Sequence, residues 1–165
     1  MAKQTDSRRD KGNKDTSEKV LHINRCSKVV KGGRKFSFSA LILAGDGEGG
    51  VGYGFAKANE LTDAIRKGGE AARKNIKKFP KRGTSIPHEV TVDWDGSSVM
   101  LKPAPEGSGV IAGSQMRAIL EMAGVKDVIA KSLGNNNPIN IVKATFKALS
   151  ELHSMESIKE IRGVA

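Results

Sequence analysis

The sequence predicts an α+β protein: an N-terminal three-stranded antiparallel sheet with one helix packed on it, followed by a C-terminal βα sandwich domain. Three observations carry this. Three runs of period-two alternation precede a stretch whose apolar residues recur every three or four positions, a Pro/Gly/Ser-rich segment interrupts at 80–87, and both patterns restart beyond it. With 165 residues, 38% of them hydrophobic, the chain can form one domain or two small ones around a real core.

The elements follow in chain order. Residues 1–17 contain no Val, Ile, Leu or aromatic residue, so nothing offsets the entropy of ordering them, and a disordered tail is expected over 1–19. From Val20 the pattern reads as strands over about 20–31 and 35–44, joined by a basic turn at Gly32-Gly33. The next strand, Val51 to Lys57, sets Val51, Tyr53 and Phe55 on one face and glycines on the other. A helix is expected over 59–79, with Leu61, Ile65, Gly68, Ala72, Ile76 and Phe79 as its inner face and Asn59 as its N-cap. Its opposite face carries Arg66, Lys67, Arg73, Lys74, Lys77 and Lys78. Gly68-Gly69 is costly inside a helix, roughly 1 kcal/mol per glycine, which points to a backbone passing close by.

The segment "PKRGTSIP" places a boundary between an N-terminal domain, 20–83, and a C-terminal one, 84–152, with an extension over 153–165. Asp95-Gly96 lies between two alternating runs, a strong hairpin signal. A helix then runs from a Ser114 N-cap to a Gly124 stop, "VIAKSL" is a short strand, and Asn137-Pro138 opens a last helix as cap and first residue.

Charge separates the two halves. The net charge is +10, yet residues 1–83 hold 20 Lys/Arg against 9 Asp/Glu, whereas 84–165 hold 8 against 9. So lopsided an excess predicts a polyanion facing the first half, because neutralising phosphates releases condensed counterions. One cysteine, Cys26, excludes an internal disulfide and fits a reducing cytosol. The longest strongly apolar run, Ala40 to Ala44, is far short of the roughly 20 residues of a membrane span, and there is no signal-like segment. A cytoplasmic protein without a membrane partner is expected.

Between Gly45 and Phe55, six glycines fill eleven positions. Gly45-x-Gly47-x-x-Gly50 spells a dinucleotide-binding fingerprint, but that loop must open directly into a helix, and here a strand follows. Gly52-Tyr53-Gly54-Phe55-Ala56 approaches an RNA-recognition motif, yet Val51 stands where the leading cation belongs and Ala58 where the last aromatic belongs. Turn chemistry is the reading that survives: the glycines join two strands, and Tyr53 and Phe55 are expected to pack on Leu61 and Ile65 of the helix. What remains is a sheet, a helix and loop cations Arg25, Lys28, Lys31, Arg34, Lys35 and Lys57, a set suited to phosphates and backbone shape.

Catalysis and metal binding lack support. His22, His88 and His153 are far apart in sequence with no Cys pair nearby, and Asp46 and Glu48 have the setting of solvated turn acids. "GSGVIAGS" could hold a phosphate at a helix N-terminus, but no lysine or Mg²⁺ ligand in that segment completes phosphoryl transfer. No enzyme activity, cofactor, metal or small-molecule substrate is expected.

"NRCSKVVKGGRKFSFSALILAGDGEGGVGYGFAKA", followed by "PAPEGSGVIAGSQMRAILEMAGVKDVIAKSLGNNNPINIVKAT", closely resembles the family of the universal fifth protein of the small ribosomal subunit, in its bacterial form. The likeness covers about residues 20–152. It implies an N-terminal domain similar to double-stranded-RNA-binding domains and a C-terminal domain whose fold is shared with some kinases, without kinase activity. It further implies a structural and assembly role in binding small-subunit rRNA, contact with the neighbouring fourth and eighth proteins, and a position by the messenger entry channel that affects decoding accuracy. On this resemblance the first hairpin, with Arg25, Cys26, Ser27, Lys28, Lys31, Gly32, Gly33 and Arg34, lies near the spectinomycin site, and the rRNA-binding set is completed by Lys35 and Lys57. Glu106, Gly107, Gly109 and Arg117, within "EGSGVIAGSQMR", fall near the fourth protein. The family often carries a basic residue just before the "VG" of the second hairpin; here that position is Gly50. A free double-stranded-RNA-binding protein is the alternative.

Overall fold

A computed structural model describes residues 16–163. The chain runs β1 (Ser17–Val30), β2 (Gly33–Gly45), β3 (Gly50–Ala58), α1 (Leu61–Lys74), β4 (Lys77–Lys78), β5 (Val90–Trp94), β6 (Ser97–Pro103), β7 (Val110–Ile111), α2 (Ser114–Met122), β8 (Val128–Ser132), α3 (Pro138–Ser150) and α4 (Met155–Arg162). These strands form two four-stranded sheets, ordered β1-β2-β3-β4 and β5-β6-β8-β7. The first is antiparallel throughout. In the second, β7 and β8 are parallel, so the chain between them must cross over, and α2 is that crossover. The α+β class with an N-terminal sheet-plus-helix and a C-terminal sheet-and-helix unit is as expected.

Several boundaries differ from the sequence reading. The first strand starts at Ser17, so Ser17–Lys19 belong to the sheet and not to a tail; residues 1–15 lie outside the described residues. Polar side chains hold this start: the Ser17 hydroxyl donates to the Gly45 carbonyl (3.3 Å), Glu18 pairs with Arg73 of α1 (2.7 Å) and Lys19 with Glu121 of α2 (3.3 Å). The helix α1 stops at Lys74, not Phe79, and the first sheet has four strands, not three. Lys77 and Lys78 pair instead with Val51 and Gly50 and cover the open edge of β3. Capping shifts by one residue at two helices: Glu60 replaces Asn59, and Gly113 replaces Ser114, neither with a side-chain cap bond. Asn137 caps α3 as expected, its side chain accepting from the Ile139 N–H, with Pro138 first in the helix.

The most informative correction concerns β3. Its glycine face, not its aromatic face, carries α1. A side chain at Gly54 would run into the Gly68 carbonyl and stand 2.6 Å from the Ala72 nitrogen, and one at Gly52 would stand 2.8 Å from the Ile76 nitrogen. Helix and strand backbones therefore meet with nothing between them at Gly52 and Gly54. At Gly68 and Gly69 themselves a side chain would meet the Ile42 side chain and the Glu18 carboxylate (2.9 Å each), not a passing backbone. Tyr53 and Phe55 consequently do not pack on Leu61 and Ile65 but point away, toward the C-terminal half. Tyr53 meets Phe146 of α3 edge-on, with ring centroids 4.7 Å apart.

Both faces of the inner part of β2 are thus covered, whereas β1 at the edge stays almost wholly exposed. Ala40, Ile42 and Ala64 form a small cluster under α1. On the other face Leu41, Leu43 and Val51 join Ile86, Leu101, Ile119, Leu120, Val142 and Leu149 in one continuous core. The segment at 80–87 runs between the sheets and is pinned there: Arg82 and Ser85 exchange backbone hydrogen bonds, the Thr84 carbonyl accepts from Lys126 and Asp127, and Ile86 is buried. The glycine turn closes the seam. The Gly47 N–H donates to the Met122 carbonyl (3.1 Å). Gly124, at φ 72°, lies against Gly47 so closely that no side chain fits. Its N–H donates to Glu121 and that of Val125 to Leu120, a Schellman ending for α2.

Candidate nucleic-acid interface

The alternation that predicts β1 and β2 builds far more strand than the sheet can use. Pairing with β3 ends at Phe38 opposite Ala58, whereas β1 and β2 remain paired to Val30 opposite Gly33. The outer part of this hairpin is a two-stranded ribbon with no third strand and no helix against it. Val29 is 76% exposed and Phe36 45%. Gly32, at φ 97°, supplies the positive angle that lets the tip turn.

Pairing register decides which side chains share a face. Arg25 lies opposite Phe38 and Ser27 opposite Phe36, and the Arg25 guanidinium stacks 3.8 Å above the Phe36 ring, a diagonal cation–π contact. Lys28 lies directly opposite Lys35. Like charges facing across strands destabilise a sheet, and no Asp or Glu occurs anywhere from Lys19 to Gly45 to relieve them. None of the ion pairs among the described residues involves Arg25, Lys28, Lys31, Arg34 or Lys35. Chemically, the ribbon is a row of hydrogen-bond donors without acidic partners among the described residues, with one guanidinium stacked on an aromatic ring. Lys57 sits apart on β3, opposite Ser39, its ammonium 5.8 Å from the Phe55 ring.

The α1 cations now sort into two groups, which the sequence could not do. Arg66 pairs with Asp63 and Glu70, and Arg73 with Glu18. Lys67 and Lys74 make no ion pair among the described residues and stay exposed.

The loop of the second predicted set is held by a buried carboxylate. Asp127, 4% exposed, accepts from the Gly109 N–H (3.0 Å) and fixes the loop that presents Glu106 and Gly107 to solvent. The Thr84 hydroxyl and then the Gly109 N–H stabilise its charged form and hold its pKa below the usual aspartate value. Gly107 and Gly109 take φ of 88° and 72°. Arg117, exposed on α2, is joined to Glu106 by no hydrogen bond or ion pair. It borders a groove of about 290 Å³ shared with Lys19, Val20 and Leu21 of β1.

Asp46 is a structural acid rather than a solvated one. Its carboxylate accepts from the Glu48 and Gly50 N–H groups (2.9 and 2.7 Å). Burial raises its pKa, but these two N–H groups and Lys78 outweigh that and leave it lowered. A side chain at Gly50 would meet this carboxylate as the turn now holds it. His88 and His153, distant in sequence, stack with centroids 6.2 Å apart, and the His153 N–H donates to the His88 Nε2 (3.1 Å). Among the described residues no group of three or more His, Cys, Asp or Glu could hold a metal, and no helix is long and apolar enough to cross a membrane. The sequence reading missed a cleft where Trp94, Lys143 and Lys147 face Tyr53 and Phe55; its only trace is the i, i+4 spacing of the two lysines.

Comparison with known proteins agrees with both halves. The family described as "Ribosomal protein S5, N-terminal domain" matches residues 16–80, and "Ribosomal protein S5, C-terminal domain" matches 92–162. Small ribosomal subunit protein uS5 of Protochlamydia amoebophila is 70% identical over 167 residues, covering 99% of this chain and all of that protein. The proteins of the same name from Chlamydia abortus and Chlamydia pneumoniae are 68% and 66% identical, over 89% and 90% of this chain and 90% of each of theirs. Matched through both sheets by family and nearly end to end by relatives, the chain belongs to the ribosomal protein S5 family.

Proposed function

We propose that the protein is a structural, non-enzymatic constituent of the small ribosomal subunit, working in the cytoplasm, that binds small-subunit rRNA through the β1–β2 ribbon. The observation that carries this is the Lys28–Lys35 pair near the tip of an acid-free ribbon: the arrangement costs folding energy and is relieved by phosphate. Arg25, Ser27, Lys28, Lys31, Arg34 and Lys35 supply the donors, Gly32 and Gly33 let the tip approach the backbone closely, and Lys57 extends the contact along β3. Glu106, Gly107, Gly109 and Arg117 form a separate surface for protein neighbours, the fourth and eighth proteins of the subunit. Docked on both sides, the chain supports subunit assembly and contributes to decoding accuracy near the messenger entry channel.

Sedimentation of the tagged protein from lysate through a sucrose gradient, before and after a high-salt wash, tests this. Stoichiometric co-migration with small subunits that survives the wash is the expected result. A pool at the top of the gradient, or one lost at modest salt, would overturn it in favour of a free double-stranded-RNA binder.

A further inference from the structure

Four of the seven aromatic residues in the chain, Tyr53, Phe55, Trp94 and Phe146, line one cleft between β3, the end of β5 and α3. Its volume is about 560 Å³, within the range of roughly 300–1,000 Å³ typical of small-molecule sites. Tyr53 and Phe146 form its floor, packed edge-on, while Phe55 (40% exposed) and Trp94 (37%) leave ring surface open at its walls. Three cations border it, Lys77, Lys143 and Lys147, and no acidic residue does. None of the three lysines joins an ion pair among the described residues. Lys143 and Lys147 instead hold their ammonium groups 5.9 Å from the Trp94 ring, at the outer limit of a cation–π contact, and Lys147 donates weakly to the Asp93 carbonyl (3.3 Å).

Open aromatic faces ringed by uncompensated ammonium groups are the parts of a site for single-stranded nucleic acid, where a base stacks and the flanking phosphates meet the cations. We propose that this cleft binds an unpaired nucleotide of RNA, its base against Trp94 or Phe55 and its phosphates on Lys143, Lys147 and Lys77. The inference rests on the reading that RNA is this chain's partner. It assigns the C-terminal half an RNA contact of its own, on a surface separate from the ribbon and of a different kind: the ribbon meets backbone, the cleft takes a base.

Trp94 is the single tryptophan of the chain, so its fluorescence reports on the cleft directly. The full-length protein is titrated with a short single-stranded oligo-uridine, with a blunt RNA duplex and with polyglutamate. Saturable quenching by oligo-uridine is expected, with little by the duplex or polyglutamate. Lys143→Glu with Lys147→Glu should weaken that binding by about tenfold or more, whereas reversing two exposed lysines that do not line the cleft, Lys126→Glu with Lys131→Glu, should change it far less. No saturable quenching of the wild type, quenching that survives reversal of both cleft lysines, or equal quenching by polyglutamate would each overturn the proposal. The wild-type titration decides the matter even if the doubly reversed variant fails to fold. Sedimentation separates the two ideas: co-migration with small subunits without quenching removes the cleft and leaves the ribosomal role standing, whereas quenching without co-migration does the reverse.

Discussion

The outer β1–β2 ribbon and the seam beneath it are built from one continuous pair of strands, yet they obey opposite rules. Between Ala40 and Gly45 every residue of β2 is buried, and the strand contributes Leu41 and Leu43 to the core shared by both sheets. A few residues toward the tip, Arg34 to Phe36 are exposed, cationic or stacked on a cation, and meet no element besides β1. Apolar burial at about 25 cal/mol per Å² stabilises the first region; in the second it is nearly absent, and the facing lysines work against the fold. The difference teaches where stability resides: the seam holds the molecule together, and the ribbon, which the proposed function assigns to rRNA, is carried by it at a small cost.

Substitutions can break or sharpen that contrast. The largest effect is expected in the seam, where Ile119 is fully buried: Ile119→Ala should remove about 2–5 kcal/mol of unfolding free energy in a denaturant titration. Equal stability of wild type and variant would mean that the two halves do not share a core. Next, Gly54→Ala forces a methyl group into the Gly68 carbonyl and should destabilise by about 1–3 kcal/mol as α1 is pushed off β3; a neutral result would show that the helix moves freely over the sheet.

Asp127 gives a pH test of the loop it holds. Its pKa is lowered in the folded state, so the stabilisation is present above the unfolded value of about 3.9 and is lost as pH falls through the folded one. Thermal melts should therefore show wild type more stable than Asp127→Asn at neutral pH, the two converging in the acid range below about 4. A difference that persists unchanged into strong acid would refute the charge as its cause. The smallest effect belongs to the ribbon. Lys35→Gln removes a like-charge pair and should raise stability by a few tenths of a kcal/mol while weakening affinity for an rRNA fragment. A fall in both would mean that the ribbon is structural after all.

Most of this architecture was legible in the sequence, for reasons that can be named. Alternation, Asp95-Gly96 and Asn137-Pro138 each act within a few residues, and the elements they predict are present. The family likeness was legible too, because it rests on long segments in both halves. What escaped depends on contacts between distant segments. Periodicity through Ile76 and Phe79 is real, since both are partly buried, but pairing of Lys77–Lys78 with β3 overrides the helix there. Alternation in β3 showed that glycines and aromatics lie on opposite faces without showing which face the helix takes; the collision at Gly54 decides it. Among site residues, the ribbon cations could be read from composition, whereas the meeting of Trp94 with Lys143 and Lys147 depends on how α3 crosses β5.

The most direct test of the separation between seam and ribbon is one paired measurement on Lys31→Glu with Arg34→Glu: affinity for a small-subunit rRNA fragment across a series of salt concentrations, alongside a thermal melt. The expected result is a melt like that of wild type, weaker binding, and a salt slope reduced by about two, one for each phosphate no longer neutralised. Binding unchanged at every salt concentration, or abolished only together with the fold, would contradict it.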